Sequence, residues 1–176
     1  PWGMGRTGTW WGLQNFDALP DLFTCAETLA DGVPMGALVT NAEFANVFQP
    51  RSHASTSRGN PLSRAAALAT IKIIEDEGLL AAAAAKGEML RAALQAFAEK
   101  YDQVLDVRGL GLMLGMVVDG DPKAVVDAFR DFNVLALTAH GNVVRFLPTL
   151  SMSEAHIEEA VEMMGDALDG LWGAEA

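Results

Sequence analysis

Pro20-Asp21-Leu22-Phe23-Thr24-Cys25-Ala26-Glu27 contains an apolar run of strand length, Leu22 to Ala26. Gly36-Ala37-Leu38-Val39-Thr40 is a second such run, and Asp31-Gly32-Val33-Pro34 between them reads as a turn. Continuous apolar strands belong to parallel or mixed sheets covered by helices, so the class read from this stretch is α/β with buried strands.

Working outward, the preceding residues 1–20 are rich in Gly and Trp and read as loop with one short helical or extended piece. Residues 49–60 are polar and aperiodic, a loop. Asn60-Pro61 is then a strong helix start, since Asn caps free amides and Pro suits the first helical position. This helix is expected to run to about Asp76 and break at Gly78, with a second from Leu79 to about Lys100. Val104 to Val118 reads as two β-rich pieces around Arg108-Gly109-Leu110-Gly111, where paired glycines suggest a bend or bulge. Asp121-Pro122 starts another helix, ending near Asn133. Residues 134–137 and 143–147 read as strands joined at His140-Gly141-Asn142, and Ser153 opens a final amphipathic helix. The division expected is 1–62, loop and sheet material with too few strands to close a sheet alone, and 63–176, a compact α+β unit.

Composition narrows the function. The 176 residues carry a formal net charge of −11, from 23 acidic residues against 12 Lys plus Arg. Such a balance repels phosphate backbones and anionic lipid, so nucleic acid and membrane are poor partners. No segment approaches the roughly 20 apolar residues that cross a bilayer, and the first residues lack the pattern of a signal peptide. With one cysteine, Cys25, no intrachain disulfide can form, and a reducing, cytoplasmic location is the expectation. Cys25 reads either as a reactive thiol or as a small core residue at a strand end.

Several stretches, in order, resemble the class-III (ornithine/acetylornithine-type) aminotransferases, which are fold-type-I pyridoxal-phosphate enzymes. Gly3-Met4-Gly5-Arg6-Thr7-Gly8 looks like the family's Gly-x-Gly-Arg-Thr-Gly. Pro20 to Ala26 resembles its Pro-Asp-hydrophobic-x-Thr-x-Ala strand, and Gly32-Val33-Pro34-Met35-Gly36-Ala37 its Gly-x-Pro-hydrophobic-Gly-Ala. Ser52-His53-Ala54-Ser55-Thr56 with Gly59-Asn60-Pro61-Leu62 is similar to Ser-His-Gly-Ser-Thr…Gly-Asn-Pro-Leu. Arg108 to Gly115 and Arg145-Phe146-Leu147-Pro148 resemble two small-domain strands. The resemblance implies an α/β chain in which 1–62 is a remnant of the large-domain sheet and 63–176 the α+β C-terminal small domain, less than half of a full-length member.

The resemblance also assigns roles. In the family a lysine directly after the Thr-x-Ala strand forms an imine with the cofactor aldehyde; that position here is Glu27, and a carboxylate makes no imine. Lys72, Lys86, Lys100 and Lys123 all fall in helical or surface-like stretches. The family's ring-nitrogen aspartate, phosphate loop and stacking aromatic lie upstream of the segment matched by Gly3–Gly8, so pyridoxal phosphate is expected to bind weakly or not at all. Ser55 and Thr56 match the loop that reaches a cofactor phosphate across the dimer interface; the plainer alternative is a solvated loop. Arg145 matches the arginine that grips the substrate α-carboxylate, where a planar fork suits a bidentate pair; an ordinary ion-pair partner or snorkelling side chain is the alternative. His53 has no nucleophile or carboxylate nearby in sequence and reads as a loop or interface residue. Trp10 and Trp11 read as packing against the sheet or a partner. The function expected is an aminotransferase-like protein that does not transaminate alone and self-associates as a dimer, with a small amino-acid-like ligand possible. The alternatives are a piece completed by another chain, or a non-catalytic binding module.

Overall fold

The computed structural model describes residues 3–26, 28–50 and 52–173. Two compact units form: one from the described residues up to Gly5 together with Thr9–Leu80, the other from Arg6–Gly8 and Ala81 onward.

In the first unit, β1 (Leu22–Cys25) pairs antiparallel with β2 (Ala37–Thr40), Leu22 opposite Thr40 and Cys25 opposite Ala37. The pair stands as a sheet of its own. Its antiparallel sense follows from chain length, because residues 26–36 are fewer than the dozen or so that a parallel crossover needs. The expected burial is not reached: Leu22 is 47% and Leu38 48% exposed. Helix α1 (Pro61–Asp76) starts where the sequence places it, the Asn60 side chain accepting the Leu62 N–H at 2.9 Å. Ser63 Oγ donates to Pro34 O at 3.0 Å and ties the start of α1 to the turn before β2. Gly78, at φ +61, separates α1 from α2 (Leu79–Lys100).

The second unit is a two-layer sandwich. Strands β3 (Val104–Leu110) and β4 (Met113–Val118) form a hairpin whose two-residue turn is Gly111-Leu112. The bend expected at the paired glycines is this turn, with Gly109 and Gly111 both at positive φ, and a separate register shift lies between Val104 and Asp106. Helix α3 (Pro122–Asp131) begins with the Asp121 side chain accepting the Lys123 N–H at 2.9 Å, and Asn133 in the left-handed region (φ +62) turns the chain out of it. β5 is Leu137–Ala139, not residues 134–137. Val134 and Ala136 pack against the core from a loop, while Leu135 is 85% exposed, so their apolar character serves packing without a ladder. β6 (Val143–Phe146) completes the all-antiparallel order β3-β4-β6-β5, and α4 (Glu154–Trp172) closes the unit behind its Ser153 cap.

Alternation along the strands decides which face is covered. Leu114, Met116, Val118, Val144 and Phe146 point into a cluster with Leu90 and Leu94 of α2, Val125 and Phe129 of α3, and Ile157, Met164 and Leu168 of α4. Phe129, Leu94 and Leu168 are wholly buried, each stabilising the fold by about 1.5–3 kcal/mol. At the other end, α2 meets the β3–β4 turn backbone to backbone. A side chain at Gly87 would come within 2.4 Å of Gly111, and one at Gly111 (φ +53) within 2.5 Å of the Arg6 carbonyl. Arg6–Gly8 thus packs as part of this unit, held by the Leu112 N–H donating to Arg6 O at 2.9 Å.

Candidate functional site

Glu27 lies outside the described residues. Its neighbours are well defined. β1 delivers Thr24, Cys25 and Ala26, and Leu29 and Ala30 just beyond are buried. Thr28 Oγ1 accepts the Met4 N–H at 3.2 Å, so the glycine-rich segment and the end of β1 come together. Trp11 packs against Phe23 of β1 in a tilted arrangement, ring centroids 4.9 Å apart and planes at 57°, which gives Trp11 a packing role. Cys25 is half-buried, its thiol directed at the Ala37 carbonyl 3.8 Å across the ladder. Burial pushes the thiol pKa up, which keeps it protonated and weakly nucleophilic.

Ser55 and Thr56 sit fully on the surface of the loop before α1. The Ser55 carbonyl accepts the Arg58 N–H at 3.2 Å, which shapes the loop into a turn. His53 is exposed against Phe48, ring centroids 5.8 Å apart, and its carbonyl accepts from Arg58 Nη1 at 3.1 Å. The four lysines are on helices: Lys72 on α1, Lys86 and Lys100 on α2, Lys123 on α3. Lys72, Lys100 and Lys123 pair with Asp76, Asp169 and Asp127.

Arg145 belongs to the second unit, on β6, on the sheet face away from the helices. Its Nε is buried and has no hydrogen-bond partner among the described residues. Leaving a charged donor unpaired away from water is unfavourable, and this is the one such side-chain atom among the described residues. The register puts Gly115 directly beside Arg145 and Arg108 beside Gly115. Arg108, whose Nε donates to Asp106 Oδ2 at 2.7 Å, was not among the residues singled out from sequence. Only the cross-strand pairing, invisible in a linear reading, brings it level with Arg145. Arg6 Nη1 donates to the Pro148 carbonyl, and burial pulls its pKa below the ordinary value. On the core side, an apolar groove of about 430 Å³ runs between residues 133–135, the end of β6 and α4, lined by Leu135, Leu147, Met152, His156 and Met163 among others. None of the sequence-derived candidates lines it.

Among the described residues no helix is long and apolar enough to cross a membrane, and no cluster of three or more His, Cys, Asp or Glu could hold a metal.

Comparison with known proteins adds the following. Residues 2–168 match the family Aminotransferase class-III. The acetylornithine aminotransferase of Methanothermobacter thermautotrophicus is 39% identical over 169 residues, 96% of this chain and 43% of the relative. That of Thermosynechococcus vestitus is 44% identical over 171 residues, 94% of this chain and 41% of the relative. The crystal structure of ornithine aminotransferase from Toxoplasma gondii superposes with a TM-score of 0.90 at 28% identity, over 96% of this chain and 41% of that one. The chain therefore spans less than half the length of the relatives it matches.

Proposed function

The chain belongs to the class-III aminotransferases, a pyridoxal-phosphate-dependent family of fold type I, and from that membership we propose that it is a pseudoenzyme whose own residues no longer support transamination. One observation carries the reading: Glu27 stands directly after Thr24-Cys25-Ala26, where the resemblance places the lysine. A carboxylate neither forms an imine nor takes up the cofactor aldehyde by any other reversible bond. It also adds negative charge near a phosphate dianion. The four lysines lie on helices and three are ion-paired. The donor set does not fit a covalently held pyridoxal phosphate, and no catalytic step is derived through it.

Ser55 and Thr56 are, in this reading, a vestigial phosphate contact. Arg145 keeps its grip on a carboxylate, supported by its unpaired Nε. Residues 1–62 descend from the large domain and 63–176 from the small one, and the protein is a cytoplasmic dimer. A second reading, completion by another polypeptide that supplies the lysine, draws support from the two-stranded sheet with open edges.

The test is a pyridoxal-phosphate titration followed by absorbance, borohydride reduction and mass spectrometry. The expected result is no saturable band and no site-specific adduct in the native chain, while Glu27→Lys acquires an adduct at position 27. A stoichiometric adduct on a native lysine sinks the proposal.

A further inference from the structure

Charge is segregated along this chain in a way that the net value of −11 conceals. Residues 44–74 carry Arg51, Arg58, Arg64 and Lys72 and no acidic residue, whereas residues 146–176 carry seven acidic residues and no Lys or Arg. Each block also presents apolar surface. In the first unit, α1 buries Ala67 and Ile74 and turns another side outward. Leu62, Ala65, Ala69 and Ile73, exposed and spaced by three, four and four, form one stripe about 17 Å long. Leu62 is 69% and Ile73 50% exposed. Arg64 and Lys72 are exposed on one flank of that stripe. In the second unit, the groove of about 430 Å³ is lined by Leu135, Leu147, Met152 and Met163, with Glu159 the one carboxylate in its lining. Glu158, Glu162 and Asp166 add exposed carboxylates along the same helix, α4. None of these four acids is ion-paired among the described residues.

We propose that these two surfaces are the halves of one contact between copies of this chain: the α1 stripe of one copy lies in the groove of another, with Arg64 and Lys72 against the carboxylates of α4. The proposal rests on the reading of the protein as a dimer and assigns the surfaces that make it. Charge complementarity names the occupant. At a net charge of −11 two copies repel on the whole, so association has to run through a face where opposite signs meet. Apolar residues on successive turns are the form in which a helix enters an apolar groove, and methionines adapt to whichever side chains arrive. Lys72 pairs with Asp76 at 2.5 Å within its own helix, but an exposed pair is weak enough to exchange. The contact joins two different patches, so two of them made reciprocally close a twofold dimer.

The experiment is sedimentation equilibrium of the full 176-residue chain, with circular dichroism to verify that each variant is folded. The native chain is expected to dimerise, about tenfold more weakly in roughly 500 mM than in roughly 50 mM NaCl. Glu159→Lys together with Glu162→Lys weakens dimerisation by about tenfold or more. Those changes take the net charge from −11 to −7, two units at each position, which by bulk repulsion alone would strengthen association. The loss therefore reports the local contact. Arg64→Glu together with Lys72→Glu weakens dimerisation by a similar factor. An equimolar mixture of the two variants recovers to within a few-fold of the native chain, because each basic helix then meets an acidic groove and each acidic helix a basic one. If the chain dimerises but either pair of changes leaves it intact, or the mixture does not recover, the contact is overturned while the dimer stands. A chain that stays monomeric at every salt concentration overturns the contact and the dimer reading together, and leaves the groove to a different polypeptide.

Discussion

The two units use similar apolar material to opposite effect. Around Phe129, Leu94 and Met116 the second unit closes a continuous core of three helices against one sheet face. The first unit places its apolar strands in a two-stranded ladder and leaves Leu22, Leu38 and Val39 between 39% and 48% exposed. The loop with Ser55 and Thr56 and the Thr24–Ala26 strand end belong to the open unit, and Arg145 belongs to the closed one. A two-stranded ladder alone is marginal in water. Its residues are therefore held by the turns and helix start around them, such as Ser63 to Pro34 and Met4 to Thr28, and not by a core of their own strands.

That contrast can be broken most forcefully at Phe129. Phe129→Ala empties a fully buried site and is expected to cost about 3–5 kcal/mol in urea denaturation followed by circular dichroism. Gly111→Ala follows, at about 2 kcal/mol or more: φ is +53 and the new methyl would meet the Arg6 carbonyl at 2.5 Å. A loss near zero there would show that Arg6–Gly8 is not seated on the turn. Asn60→Ala removes the cap of α1 and should cost about 1 kcal/mol. Leu38→Ala, on the open ladder, should stay within about 0.5 kcal/mol; a larger loss means that β2 is covered in solution. The same contrast should appear in hydrogen exchange, with β4 and β6 amides protected far longer than those of β1 and β2.

A pH test sharpens the picture of the closed unit. Asp169 accepts hydrogen bonds from Lys100 and from the Tyr101 hydroxyl at 2.8 Å, joining the ends of α2 and α4. Those bonds, the one from Lys100 foremost, hold its carboxyl below the ordinary value. A depressed folded pKa gives stability that is present above the unfolded value, about 3.9, and lost as pH falls through the folded one. Melting curves between pH 6 and pH 2 should therefore fall less steeply for Asp169→Asn than for the native chain; equal slopes would remove Asp169 from the account.

Much of this was legible because some signals are local. Asn60-Pro61 and Asp121-Pro122 specify a cap and a fixed φ in adjacent residues, and both helices start there. The apolar runs were harder. Val134 to Leu137 is rich in residues that suit a strand, yet Val134 and Ala136 reach the core from a loop, since apolarity encodes a need for cover and not the means. Leu22 to Ala26 shows the same limit: the run reports a segment made for burial without naming what lies over it. The candidate positions came from motifs whose order resembles a family, and that membership holds across residues 2–168. Arg108 shows the limit of a linear reading: it stands in one row with Arg145, far along the chain, only because the sheet register aligns both with Gly115.

The tripeptide Arg6–Gly8 has a further consequence for how such a protein can be inherited or rearranged. The chain passes from one unit to the other after Gly5, again after Gly8 and once more after Leu80. Residues from Ala81 onward are thus no cassette that recombination could lift out whole. Moved alone, they would leave behind the backbone that fills the notch above Gly111 and that approaches Ala84 so closely that a side chain at Gly8 would come within 2.9 Å of its Cβ. A viable transplant would have to carry the tripeptide in, most simply spliced ahead of Ala81, turning a matter of packing into a rule about which gene fusions survive.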